Sequence, residues 1–143
     1  MLTRSVLTHL EIDRIVDAAR AEATRNGWNV AIGIADEGGH PLALQRMDGC
    51  APIGAYVAME KARSAAIGRR ETKAYEQMIN AGRTAFLAVS EISRGLLEGG
   101  VPILVDGQCI GAVGVSGVKP EQDAQVARAG VAAIAHGSDP TPA

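Results

Sequence analysis

Residues 99–117 read Gly99-Gly-Val-Pro-Ile-Leu-Val-Asp-Gly-Gln-Cys-Ile-Gly-Ala-Val-Gly-Val-Ser-Gly117. Two apolar runs, Val101 to Val105 and Cys109 to Val115, flank Asp106-Gly107, a dipeptide that favours the tight turn of an antiparallel hairpin. The second run places glycine at 111, 114 and 117, where a strand ordinarily carries side chains. Glycine weakens a strand, so its presence marks a place where something approaches the backbone closely. A packed helix and a bound ligand both fit that description.

Upstream, Thr8 and Glu11 have the spacing of a capping box, and Leu10, Ile12, Ile15, Val16, Ala19 and Ala23 recur at helical intervals up to Gly27. A first helix is predicted over Thr8–Asn26. The β-branched run from Trp28 to Asp36, the turn Glu37-Gly38-Gly39, and the run from Pro41 to Asp48 predict a first hairpin. A second helix follows over Ile53–Arg69, with Val57, Ala58, Ala62, Ala65 and Ala66 on its small-residue face. Short helical pieces are expected around Thr72–Ile79 and Ala85–Ile92, and Pro120 opens a last helix with Glu121 and Asp123 at its positive end. The order helix, hairpin, helix, irregular segment, hairpin, helix gives an α+β fold, an antiparallel sheet covered by three long helices. A single domain over 1–136 and a flexible tail over 137–143 are expected.

Composition narrows the function. Of 143 residues 47% are hydrophobic and only 3% aromatic, so alanine and glycine supply much of the core. Small side chains allow close packing and flat surfaces, which points to a homo-oligomer. A net charge of −2 without a basic run offers no footprint for nucleic acid. No stretch approaches the roughly 20 apolar residues of a membrane span, and no secretory signal opens the chain, so a cytoplasmic protein with Cys50 and Cys109 as free thiols is expected.

Metalloprotease, nucleophile-elbow, Walker and dinucleotide-binding motifs are missing. Three histidines, His9, His40 and His136, are scattered and read as exposed positions or helix-end partners rather than a metal cluster. Arg46 and Asp48 lie two apart on the predicted strand, sharing a face that forms either a rim ion pair or a seat for an anion, with Met47 alongside. Lys61 sits among small residues on its helix, where it snorkels or holds a carboxylate or propionate. Asp123 reads first as a helix-start carboxylate.

Taken together, Asp36-x-Gly-Gly-His40, Arg46-Met-Asp-Gly, Lys61-Ala-Arg-Ser-Ala, Gly99-Gly-Val-Pro-Ile, Gly111-Ala-Val-Gly-Val-Ser-Gly and Glu121-Gln-Asp123 resemble, in order and spacing, the GlcG/HbpS-like family, which includes the C-terminal domain of PduO-type proteins. The likeness runs from about residue 8 to 136. It implies a profilin-like antiparallel sheet with packed helices, homo-oligomers, and haem as a cofactor of some members. It implies a pocket lined by Arg46, Met47, Gly99, Gly100, Gly111, Gly114 and Ser116, and it assigns no iron ligand among the three histidines. Cys50 stands where the family more often has alanine, which makes it a soft ligand, a thiol or simply packing.

Three functions compete. One is binding of haem, a related tetrapyrrole or another small anionic ligand. The second is a cofactor-independent enzyme on a small organic acid, with Arg46 or Lys61 holding a carboxylate and Asp48 or Asp123 as general base. In that reading backbone N–H groups near Gly99-Gly100 or Gly114 stabilise developing charge, and Asp48, Lys61 and Asp123 are the catalytic candidates. The third is an oligomeric scaffold without a ligand.

Overall fold

The computed structural model describes residues 1–135; His136 and the expected tail over 137–143 lie outside the described residues. The elements run α1 (His9–Arg25), β1 (Ala31–Asp36), β2 (Pro41–Arg46), α2 (Ile53–Gly68), α3 (Thr72–Asn80), a 3-10 turn (Thr84–Ala88), β3 (Gly100–Val105), β4 (Gln108–Ser116) and α4 (Pro120–Ala135). All strand pairs are antiparallel in the order β2-β1-β4-β3. Asp106 and Gly107 take φ values of 51° and 77°, the left-handed pair that a two-residue hairpin turn requires.

The two central strands are buried on both faces. Ile32 and Ile34 of β1, with Val113 and Val115 of β4, join Ile15, Ala19 and Ala23 of α1 and Val126 and Ala127 of α4 in one core. Burying each such branched side chain contributes about 1.5–3 kcal/mol, so this layer supplies most of the driving force. The opposite face holds only small residues: Ala31 and Ala35 of β1 and Ala112 of β4 meet Ala58, Ala62, Ala65 and Ala66 of α2.

Glycine brings α2 closer still. Gly33, Gly114 and Gly100 stand in register on β1, β4 and β3. A Cβ at Gly114 would lie 2.1 Å from the Ala58 carbonyl oxygen, and one at Gly100 2.4 Å from that of Lys61. Between the helix and the ligand left open by the sequence, the helix occupies the space above Gly114. Gly111 has a different neighbour, the Ala35 carbonyl of the adjacent strand at 2.4 Å.

The capping box forms. Glu11 Oε2 accepts the Thr8 N–H at 2.8 Å and also the Thr8 hydroxyl. Those two donors, the hydroxyl first, hold the Glu11 carboxyl below its usual range. Its stabilising contribution is therefore complete above the ordinary glutamate pKa and is lost as the pH falls through the depressed folded value. Thr8→Ala is expected to lower the unfolding free energy by about 1 kcal/mol at neutral pH. Urea titration in acid should show the difference shrinking; a penalty independent of pH would mean that the pair does not carry it.

Two expectations need correction. The first hairpin's second strand stops at Arg46, because the Met47 N–H turns back to the Val30 carbonyl at 2.9 Å and the Cys50 N–H to that of Met47 at 3.1 Å. Asp48 thus lies in a turn and does not share a strand face with Arg46. The helical piece expected over Ala85–Ile92 is the 3-10 turn alone: residues 81–91 are exposed except for Phe86, so no buried face propagates a longer helix. Among the described residues, no helix is long and apolar enough to cross a membrane.

Candidate functional site

Lys61 is carried inward by α2, whose backbone is pressed onto the glycine row. Its Nζ donates to the Val115 carbonyl at 2.9 Å and to Asp123 Oδ2 at 3.1 Å. Asp123, in the first turn of α4, accepts the Val118 N–H on Oδ1 at 3.1 Å, so one carboxylate serves both the lysine and the helix start. The two side chains are only 2% and 3% exposed. Gly99 (φ 132°) closes the enclosure, since a Cβ there would fall 2.8 Å from Lys61 Nζ. Burial pushes the Asp123 carboxyl above its usual range, against the pull of the Lys61 ammonium. Lys61 therefore does not snorkel, because α2 leaves its stem no route to water.

Two of the backbone positions invoked for an enzyme, Gly100 and Gly114, are occupied as well. The Gly100 N–H donates to Thr72 Oγ1 at 2.9 Å, and that hydroxyl donates to the Leu97 carbonyl at 2.5 Å. Gly114 lies beneath α2.

Arg46, Met47 and Asp48 come together elsewhere, around an open hollow of about 380 Å³ shared with Arg20, Asn29 and Gln45. Arg20 is held there by Gln45 Oε1 and, at 2.8 Å, by Asp17 Oδ1, whereas Arg46 forms no ion pair among the described residues. Half-buried Ser116 stands in register with Ala31, which in turn pairs with Arg46, so these residues border one end of the sheet. Cys50 lies beneath, its Sγ 3.9 Å from the Ser116 carbonyl, and burial raises its thiol pKa. The predicted residues thus divide into an outer group (Arg46, Met47, Asp48, Ser116), a sealed group (Lys61, Asp123, Gly99, Gly100, Gly114), and Gly111 apart at the Leu7 contact.

A third arrangement was readable only in part. Asp36 Oδ1 accepts the Gly38 N–H at 3.0 Å, the His40 N–H at 2.9 Å and His40 Nδ1 at 3.0 Å. Burial of Asp36 works against its charge, but these donors prevail and hold the carboxyl below its usual range. His40 is 77% exposed, and with Nδ1 engaged its Nε2 is left outward. Its neighbour Gly39 rests on Arg63, where a Cβ would meet Cγ at 2.9 Å. Leu42 and Leu44, 38% and 48% exposed, continue along the edge strand, with Ile53 and Tyr56 exposed on α2. The signal for this pair is the carboxylate four residues before the imidazole across a glycine turn. Among the described residues, no group of three or more His, Cys, Asp or Glu side chains could hold a bare metal ion.

Comparison with known proteins agrees with this architecture. The family described as haem degrading protein HbpS-like matches residues 7–132. The chain is 57% identical over 116 residues to Protein GlcG of Escherichia coli K12, covering 81% of this chain and 85% of that protein. The crystal structure of Klebsiella pneumoniae protein ORFY superposes with a TM-score of 0.88 at 26% identity, covering 94% of both chains. That of a PduOC:heme complex superposes at 0.83, a likeness of fold at 24% identity that covers 90% of this chain and 95% of the other.

Proposed function

The chain belongs to the haem degrading protein HbpS-like family, and from that premise we propose that it binds haem on its exposed β1–β2 edge, with His40 as the iron's side-chain ligand. The Asp36–His40 pair carries the reading. A carboxylate on one ring nitrogen fixes the tautomer and aims the other nitrogen outward, as it does for metal-bound histidines generally. A porphyrin supplies four nitrogens itself, so a lone imidazole suffices where no multi-residue cluster exists among the described residues.

Leu42 and Leu44 offer an apolar platform beside that imidazole. Arg63, next to the Gly39-His40 turn, and Arg46, two residues beyond Leu44, offer cations for propionates. Bound haem would supply redox chemistry at iron; the protein's part is to orient the ring and hold the tautomer. Ile53 and Tyr56, exposed beside this edge, support contact between copies of the chain as a homo-oligomer. Two unpaired thiols, Cys50 and Cys109, suit a cytoplasmic setting. The enzyme reading draws less from the geometry, since Lys61 and Asp123 face each other rather than solvent.

Haemin titration followed at the Soret band tests the proposal. The wild type should saturate, and His40→Ala should lose the sharpened band. Asp36→Asn should weaken binding about 10–100-fold, while His9→Ala and Cys50→Ala titrate as the wild type. An unchanged band and midpoint in His40→Ala would overturn the assignment.

A further inference from the structure

Between the N-terminal arm and the β3–β4 turn lies a second hollow, of about 340 Å³, that the haem reading does not use. Arg4 and Arg69 reach it with Gln108, Leu2 and Leu104 supply apolar surface, and Cys109 lines it; among the described residues no acidic one does. The Arg69 guanidinium and the Gln108 amide make no hydrogen bond among the described residues. Among the described residues Arg4 has only a long, exposed contact with Glu37 at 3.7 Å, of the kind that contributes little. Arg69 is also conformationally unusual. It ends α2 at φ 55°, a left-handed position that glycine or asparagine fills at ordinary helix ends. An arginine kept there against its backbone preference holds a positive charge at the mouth of the hollow.

We propose that this hollow binds a small organic monocarboxylate, the carboxylate held by Arg4 and Arg69 and the apolar body lying against Leu2 and Leu104. Guanidinium forks match carboxylate geometry, and a hollow of this size with two leucines favours an anion carrying a hydrocarbon body over a bare one. None of the residues lining this hollow is used by the haem proposal, and neither proposal depends on the other.

Amide chemical shifts recorded with benzoate, with benzamide and with inorganic phosphate test it on the full chain. Benzoate should shift Gly107, Gln108 and Cys109 saturably and slow iodoacetamide alkylation of Cys109. Benzamide should do neither, and phosphate should bind more weakly than benzoate. Arg69→Gly keeps the fold under test, because φ 55° suits glycine, so this variant should be at least as stable as the wild type yet bind benzoate about tenfold or more weakly. Arg4→Gln should also weaken binding. Equal binding of benzamide, phosphate binding as tight as benzoate, or an unchanged benzoate affinity in a folded Arg69→Gly protein would each overturn the proposal. The haemin titration of the same samples reads the His40 assignment separately.

Discussion

Lys61→Met is expected to remove about 3–5 kcal/mol of folding stability, a large share of what a domain of this size possesses. The substitution keeps the aliphatic stem and deletes the ammonium, leaving Asp123 buried with only the Val118 N–H as partner. A buried carboxylate without its counter-charge loses solvation that nothing replaces, which is why breaking such a pair costs more than the pair contributes. Lys61→Met combined with Asp123→Leu should recover most of the loss, since apolar packing substitutes well for a sealed ion pair. Urea unfolding of the three variants measures both effects; a loss below about 1 kcal/mol in the single variant would mean that the site hydrates easily.

The pH dependence has a definite sign. Burial raises the folded-state pKa of Asp123 above its unfolded value, so folding takes up a proton between the two. Relative to Asp123→Asn, the wild type should gain stability as the pH falls through that interval and lose it as the pH rises through the folded value.

Nothing in the sequence joins these two residues, which are 62 positions apart. Lys61 reads as a lysine that snorkels or holds a ligand's carboxylate, because local spacing reports which residues share a helix face, not how closely that face meets the sheet. The hairpins, by contrast, were legible, since Asp106-Gly107 and Gly38-Gly39 are local signals and the runs beside them set the strands. The end of β2 was not, because Arg46, Met47 and Asp48 continue the strand-like pattern while a tertiary hydrogen bond from Met47 to Val30 turns the chain. The Asp36–His40 pair lies between these cases: its residues were visible as a motif, but that the carboxylate would leave Nε2 outward required the turn's geometry.

Gly114→Ala should cost more than about 3 kcal/mol or prevent folding, as a methyl group forced against backbone cannot be absorbed by a rotamer change. The new Cβ would sit 2.1 Å from the Ala58 carbonyl oxygen and 2.4 Å from the Ala62 nitrogen, both main-chain atoms of α2. Gly33→Ala should fall between extremes, because its nearest atoms, also α2 backbone, stand at 3.1–3.3 Å and must move only slightly. Gly107→Ala provides the baseline. Its φ of 77° is left-handed but nothing lies within 4 Å, so only the conformational cost of about 1–2 kcal/mol remains. Thermal or urea unfolding should therefore rank the variants Gly114 worst, then Gly33, with Gly107 showing only its backbone cost. The ranking separates the two meanings of the glycines in β4. If Gly114 kept room for a ligand, its alanine variant would fold normally and lose binding. Where α2 fills that room, stability is lost instead, and the loss reaches Lys61 and Asp123 because the same close approach of α2 seals them.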